Sequence, residues 1–117
     1  MAGITIFHNP LCSKSREALM LLRKLGHEPA IVEYLKNPPT RARLKMLMHQ
    51  LGASSVRAML RTKADEYAQL DLANPKWSDE ELLDFMEQHP ILLERPVVVT
   101  PKGARIGRPT EAILEIL

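Results

Sequence analysis

The sequence holds one cysteine, Cys12, inside the run His8-Asn9-Pro10-Leu11-Cys12-Ser13-Lys14-Ser15-Arg16. A single sulfur excludes an internal disulfide, a CxxC dithiol and the multi-cysteine zinc and iron–sulfur frameworks. Whatever Cys12 does, it does alone or with a sulfur from another molecule. The β-branched and aromatic run Ile4-Thr5-Ile6-Phe7 reads as a strand, Asn9-Pro10 breaks it, and a helical pattern begins at Ser13. The sulfur therefore lies at a helix N-terminus, where unpaired N–H groups favour thiolate over thiol and can cradle an oxyanion. His8, four residues upstream, is placed to favour the thiolate further. Ser13, Lys14, Ser15 and Arg16 surround the turn with hydroxyls and positive charge. An arbitrary lone cysteine is more often buried and inert. Pro10 on one side and a polar helix start on the other argue for an exposed, reactive thiol.

Arginine beside structural punctuation is the second signal. Arg95 precedes Pro96, Arg108 precedes Pro109, and Arg61 ends the short segment Val56-Arg57-Ala58-Met59-Leu60-Arg61. Three arginines converging on one thiolate would bind a tetrahedral oxyanion by fork-shaped donation. Spacing alone does not select these three, because most arginines are solvated surface groups. His27, His49 and His89 show no HxxxH or HExxH spacing, so no metal site is expected. His89 before Pro90 reads as a helix terminator. Met46, Met48, Met59 and Met86 fall at or near core spacing, and Asp79-Glu80-Glu81 is a helix-start charge cluster.

The elements that must position these groups follow from periodicity. After the first strand, Ala18, Leu22 and Leu25 mark one helix face and Gly26 its end. Ala30 to Tyr34 reads as a second strand, and Asn37-Pro38-Pro39 as a rigid turn. Thr40 caps a helix with Leu44, Leu47, Met48 and Leu51 inward, closed by Gly52. Ser54 to Arg61 reads as a short helix. Ser78 and Glu81 form a capping box before Leu82, Phe85 and Met86. Val97-Val98-Val99 is an apolar strand, Pro101-Lys102-Gly103 a turn and Ala104 to Ile106 a returning strand. Pro109 opens a last helix at its first position, with Ile113, Ile116 and Leu117 inward. The order β-α-β, helical insert, β-β-α predicts an α/β chain of thioredoxin-like fold, a mixed four-stranded sheet with helices inserted between strands 2 and 3. The expected organisation is one domain over residues 1–117. In such a fold the proline entering the third strand, Pro96, is the candidate cis-proline near the active cysteine.

Composition narrows the function classes. Sixteen basic against 14 acidic side chains give +2, far from the basic stripe of a nucleic-acid binder. One Trp, two Tyr and two Phe make no base-stacking platform. No apolar run spans a bilayer and no secretory signal opens the chain, so a reducing cytoplasmic location is expected. Neither nucleic acid nor membrane is an expected partner.

The run from His8 to Arg16 resembles the active-site loop of the glutaredoxin-coupled arsenate reductase (ArsC) family. Tyr34-Leu35-Lys36-Asn37-Pro38-Pro39 resembles that family's second strand and turn, and Val56 to Arg61 its short helix. His89-Pro90-Ile91-Leu92 through Arg95-Pro96-Val97-Val98-Val99-Thr100-Pro101 resembles its cis-proline strand. The resemblance runs from about Ile4 to Leu117. It implies Cys12 as nucleophile, His8 as the group lowering its pKa, and Ser15 as a donor steadying the thiolate. It also implies Arg61, Arg95 and Arg108 as the oxyanion-binding arginines, no bound cofactor, and glutathione as co-substrate with glutaredoxin as partner. The implied reaction is thiolate attack on arsenate, then resolution by glutathione and glutaredoxin to release arsenite. Ser13-Lys14 after the cysteine, and an end directly after the last helix, resemble a short arsenate-reductase-like branch. Two other readings stand beside this one. A glutathione-dependent thiol transferase on another substrate fits the CxxS loop, and a non-catalytic Spx-like transcriptional regulator is opposed by serine at position 15.

Overall fold

The structure, a computed structural model, describes residues 3–117. Strand β1 (Thr5–His8), helix α1 (Ser13–Lys24) and strand β2 (Ala30–Glu33) form a βαβ unit. β1 and β2 are parallel, paired from Thr5 opposite Ala30 to His8 opposite Glu33. β3 (Val97–Thr100) runs antiparallel to β1, and β4 (Gly103–Ile106) antiparallel to β3, giving the order β2-β1-β3-β4. This is the expected thioredoxin-like arrangement. Between β2 and β3 lie α2 (Arg41–Gln50), a 3₁₀ turn (Val56–Met59), α3 (Asp65–Gln69), α4 (Asp79–Gln88) and a second 3₁₀ turn (Pro90–Leu92).

Strand alternation divides the core into two layers. Phe7, Val97 and Val99 face the inserted helices and pack with Leu44, Leu47, Met59 and Leu82. Ile6 and Val98 face the other way, against Ala18 and Leu22 of α1 and Ile113 and Ile116 near the C-terminus. The caps act where the sequence puts them. Thr40 Oγ1 accepts from the Arg43 N–H at 3.2 Å, and Ser78 and Glu81 cap reciprocally. Gly26, at φ +88°, lets the chain leave α1 while its N–H and that of His27 donate to the last carbonyls.

One helix is added to the sequence reading and two expectations are corrected. Helix α3 has no apolar signal because none of its five residues is buried. Leu25 and Met46 lie outside the core, exposed. The last helix is 3₁₀ (Thr110–Ile116), and Pro109, at ψ 162°, is its extended N-cap and not its first helical residue. Three residues per turn align Ile113 with Ile116, and both are buried against the sheet. Among the described residues no helix is long and apolar enough to cross a membrane.

Candidate active site

Cys12 is the N-cap of α1, in extended geometry, one loop beyond the end of β1. The loop is held from inside. Asn9 accepts from the Cys12 N–H at 2.9 Å through its backbone carbonyl and from the Leu11 N–H at 3.0 Å through Oδ1. Arg16 Nη1 donates to the Pro10 carbonyl at 2.9 Å. The Ser15 hydroxyl oxygen accepts from the Asn9 N–H at 3.0 Å and lies 2.6 Å from His8 Nδ1. Leu11, at the tip, is 87% exposed, while Cys12 beside it is half-buried, less open than the exposed thiol expected.

The Cys12 thiol is held below the ordinary cysteine value although burial, the largest influence, opposes this. The backbone N–H of Ser15, the Arg95 charge, the backbone N–H of Lys14 and the Arg108 charge together outweigh it. Arg108 Nη2 is 3.6 Å from Sγ, a contact across 96 positions of sequence.

These partners differ from those expected from the local sequence. His8 is buried, and burial first of all holds its imidazole below the ordinary histidine range. Its Nδ1 bonds to Ser15, and this pair orders the loop. Ser15 likewise turns its hydroxyl to His8 and Asn9 and offers the thiolate its backbone N–H. Lys14 pairs with Glu17 at 3.6 Å, so its side chain is drawn along the helix. The positive charge felt by Cys12 comes from the far end of the chain.

Three links assemble the arginines. Leu60 and Leu93 form an isolated antiparallel bridge, with the Arg61 N–H donating to Leu92 and the Glu94 N–H to Met59, both at 2.7 Å. This carries Arg61 to the segment that presents Arg95. Arg108 Nε donates to the Arg95 carbonyl at 2.8 Å. The Gly107 N–H donates to the Pro96 carbonyl at 2.9 Å, and a Cβ on Gly107 would meet Pro96 Cγ at 2.8 Å, so only glycine fits against that ring. The Arg95–Pro96 peptide bond is cis, and so is Arg108–Pro109. Arg61 acts on the neighbouring Tyr34.

Two residues escaped the sequence reading. Glu94 Oε1 accepts from Arg95 Nη1 at 3.0 Å and from the Arg95 N–H at 3.2 Å, and lies 3.5 Å from Arg108 Nε. One carboxylate thus holds two guanidiniums, and its adjacency to Arg95-Pro96 was the available hint. Tyr34, fully buried, follows β2 at the sheet end where His8 lies opposite Glu33. It reads locally as the last residue of a strand, which conceals its hydroxyl. Among the described residues, Tyr34 Oη, Arg61 Nε and Arg95 Nε are buried without a hydrogen-bond partner. No group of three or more His, Cys, Asp or Glu among those residues could hold a metal ion. A lowered thiol beside converging donors that lack an acceptor can bind an anion with several oxygens and attack its central atom.

A family model described as the ArsC family matches residues 7–116. The arsenate reductase of Escherichia coli (strain K12) is 52% identical over 117 residues, 100% of this chain and 82% of that protein. The uncharacterized protein YfgD of the same strain is 48% identical over 114 residues, 97% of this chain and 96% of its own length. The solved structure of an arsenate reductase from Vibrio cholerae superimposes with a TM-score of 0.96 at 47% identity, covering 99% of this chain and 98% of that one.

Proposed function

The chain belongs to the ArsC family, and on that premise we propose that it is an arsenate reductase coupled to glutathione and glutaredoxin. The observation that carries this reading is the lowered Cys12 thiol with Arg108 Nη2 3.6 Å from its sulfur and Arg95 beside it. The site suits a nucleophile that must stay ionised while an anion approaches. Arg95 and Arg108 offset the repulsion between thiolate and oxyanion, and Arg61 supplies a further fork of donors.

In the first step the Cys12 thiolate attacks arsenic and displaces one oxygen as hydroxide or water, giving a thiol–arsenate adduct. Glutathione then attacks, and glutaredoxin resolves the mixed species. Two thiols surrender two electrons to arsenic and end as a disulfide, while arsenite leaves and Cys12 returns as thiol. The single cysteine of the chain fits this division, since the resolving sulfurs come from outside. The reaction belongs in the reducing cytoplasm, where glutathione keeps thiols reduced.

The test is arsenate-dependent NADPH consumption in an assay supplying glutathione, glutathione reductase and glutaredoxin. Wild-type protein should turn over and Cys12→Ser should fall to background. A protein whose Cys12 is demonstrably ionised yet shows no arsenate-dependent turnover would overturn the reading. Faster activity on a glutathionylated substrate than on arsenate would favour a thiol transferase.

A further inference from the structure

We propose that Tyr34 is a further oxyanion-binding residue, whose buried hydroxyl donates a hydrogen bond to an oxygen of the tetrahedral anion held by Arg61 and Arg95. The inference rests on the reading of the site as an oxyanion pocket and adds a neutral donor to it.

Topology puts the phenol in place. β1 and β2 are parallel and end together at His8 and Glu33, so the next residue on each strand, Asn9 and Tyr34, enters the same end of the sheet. The ring is clamped in the core cluster with Phe7, Leu44 and Leu47. Packing therefore aims the hydroxyl, and no polar partner is needed to do so. Among the described residues that hydroxyl has no hydrogen-bond partner, although the residue is fully buried. Buried polar groups are nearly always paired, and an unpaired one is costly.

The company of this orphan is informative. Of the four buried side-chain polar atoms without a partner among the described residues, two others are Arg61 Nε and Arg95 Nε. The charges of Arg95, Arg61 and Cys12 and, least of these, the Asn9 side chain all act on the phenol. Three unsatisfied donors with no acceptor among them suit a ligand made of acceptors. Burial, the largest influence, holds the phenol above its ordinary value, so it keeps its proton at neutral pH and can donate.

Tyr34→Phe tests this, because it keeps the ring and removes only the hydroxyl. Two quantities are measured: protection of Cys12 from alkylation by arsenate, phosphate or sulfate, relative to each protein's own unliganded rate, and thermal unfolding without any of them. The expected result is an oxyanion affinity at least about tenfold weaker, the scale of a hydrogen bond to a charged group. The unliganded melting temperature should be unchanged or higher, since an unpaired buried hydroxyl is lost. A purely structural hydroxyl gives the opposite pattern, a lower melting temperature with unchanged affinity, and overturns the inference. Unchanged affinity overturns it whatever the melting temperature does. Wild-type protein protected by none of the three anions overturns the oxyanion pocket and this inference together. Protection without arsenate turnover, weakened in Tyr34→Phe, would uphold Tyr34 while removing the reductase reading.

Discussion

The two ends of the central sheet treat their buried donors in opposite ways, although Gln50 Oε1, an acceptor on the helix that passes Gly103, is also unpaired among the described residues. At the end where β1 finishes and β3 begins, Tyr34 Oη, Arg61 Nε and Arg95 Nε have no partner among the described residues. At the other end, Thr100 Oγ1 donates to the Ile116 carbonyl at 2.6 Å and accepts from the Lys102 N–H at 3.1 Å. Lys102 Nζ donates to the Leu117 carbonyl at 2.9 Å. The far end also has a hollow of about 420 Å³ lined by Ile4, His27, Thr100, Pro101 and Ile116 among others. A hollow alone is therefore a poor guide to chemistry in this molecule. Unpaired donors beside a nucleophile are the better guide, because an anion brings the acceptors that they lack.

The sharpest way to break that contrast is Arg95→Lys. The Arg95 side chain is only 13% exposed, and an ammonium keeps the charge but cannot reproduce the planar fork. Oxyanion affinity, read as protection of Cys12 from alkylation, should fall roughly 10- to 100-fold, the equivalent of one to two charge-assisted hydrogen bonds. The melting temperature should move far less. Thr100→Val makes the converse change. It leaves the Ile116 carbonyl unpaired and should cost about 1–2 kcal/mol in denaturant unfolding, with turnover unaltered. If turnover fell and stability held, the two ends would not divide their work as described. The smallest effect is electrostatic. Wild-type alkylation should show a midpoint below the ordinary cysteine value, and Arg108→Gln, lacking the guanidinium 3.6 Å from the sulfur, should raise it by roughly half a pH unit or more. A midpoint unchanged in Arg108→Gln would remove that arginine from the account.

Strands β1 and β3, the proline that enters β3 and the helix start at Cys12 were readable from local sequence. They are set by backbone chemistry and period, which act over a few residues. The identity of the arginines was not. Arg61 and Arg95 meet because Leu60 bridges Leu93, and Arg108 reaches Sγ only after β3 and β4 have formed a hairpin. No periodicity records such contacts, and only the family resemblance selected those residues. Local reasoning also overvalued proximity in sequence. His8 and Lys14 lie near Cys12 along the chain, yet burial neutralises one and Glu17 draws off the other. Glu94 and Tyr34 were missed for the reciprocal reason, as each looks ordinary until its neighbours arrive from elsewhere.

The reach from Cys12 to Arg108 has a thermodynamic consequence. The groups that favour the thiolate come together only in the native chain, so an unfolded chain carries an ordinary thiol. The proton is then a ligand that prefers the unfolded state. Between the lowered native value and the ordinary one, the native state binds fewer protons, and rising pH favours folding. That contribution is complete above the unfolded value and is lost as pH falls through the native one. In this protein the poising of the nucleophile and the stability of the fold are two readings of one proton equilibrium.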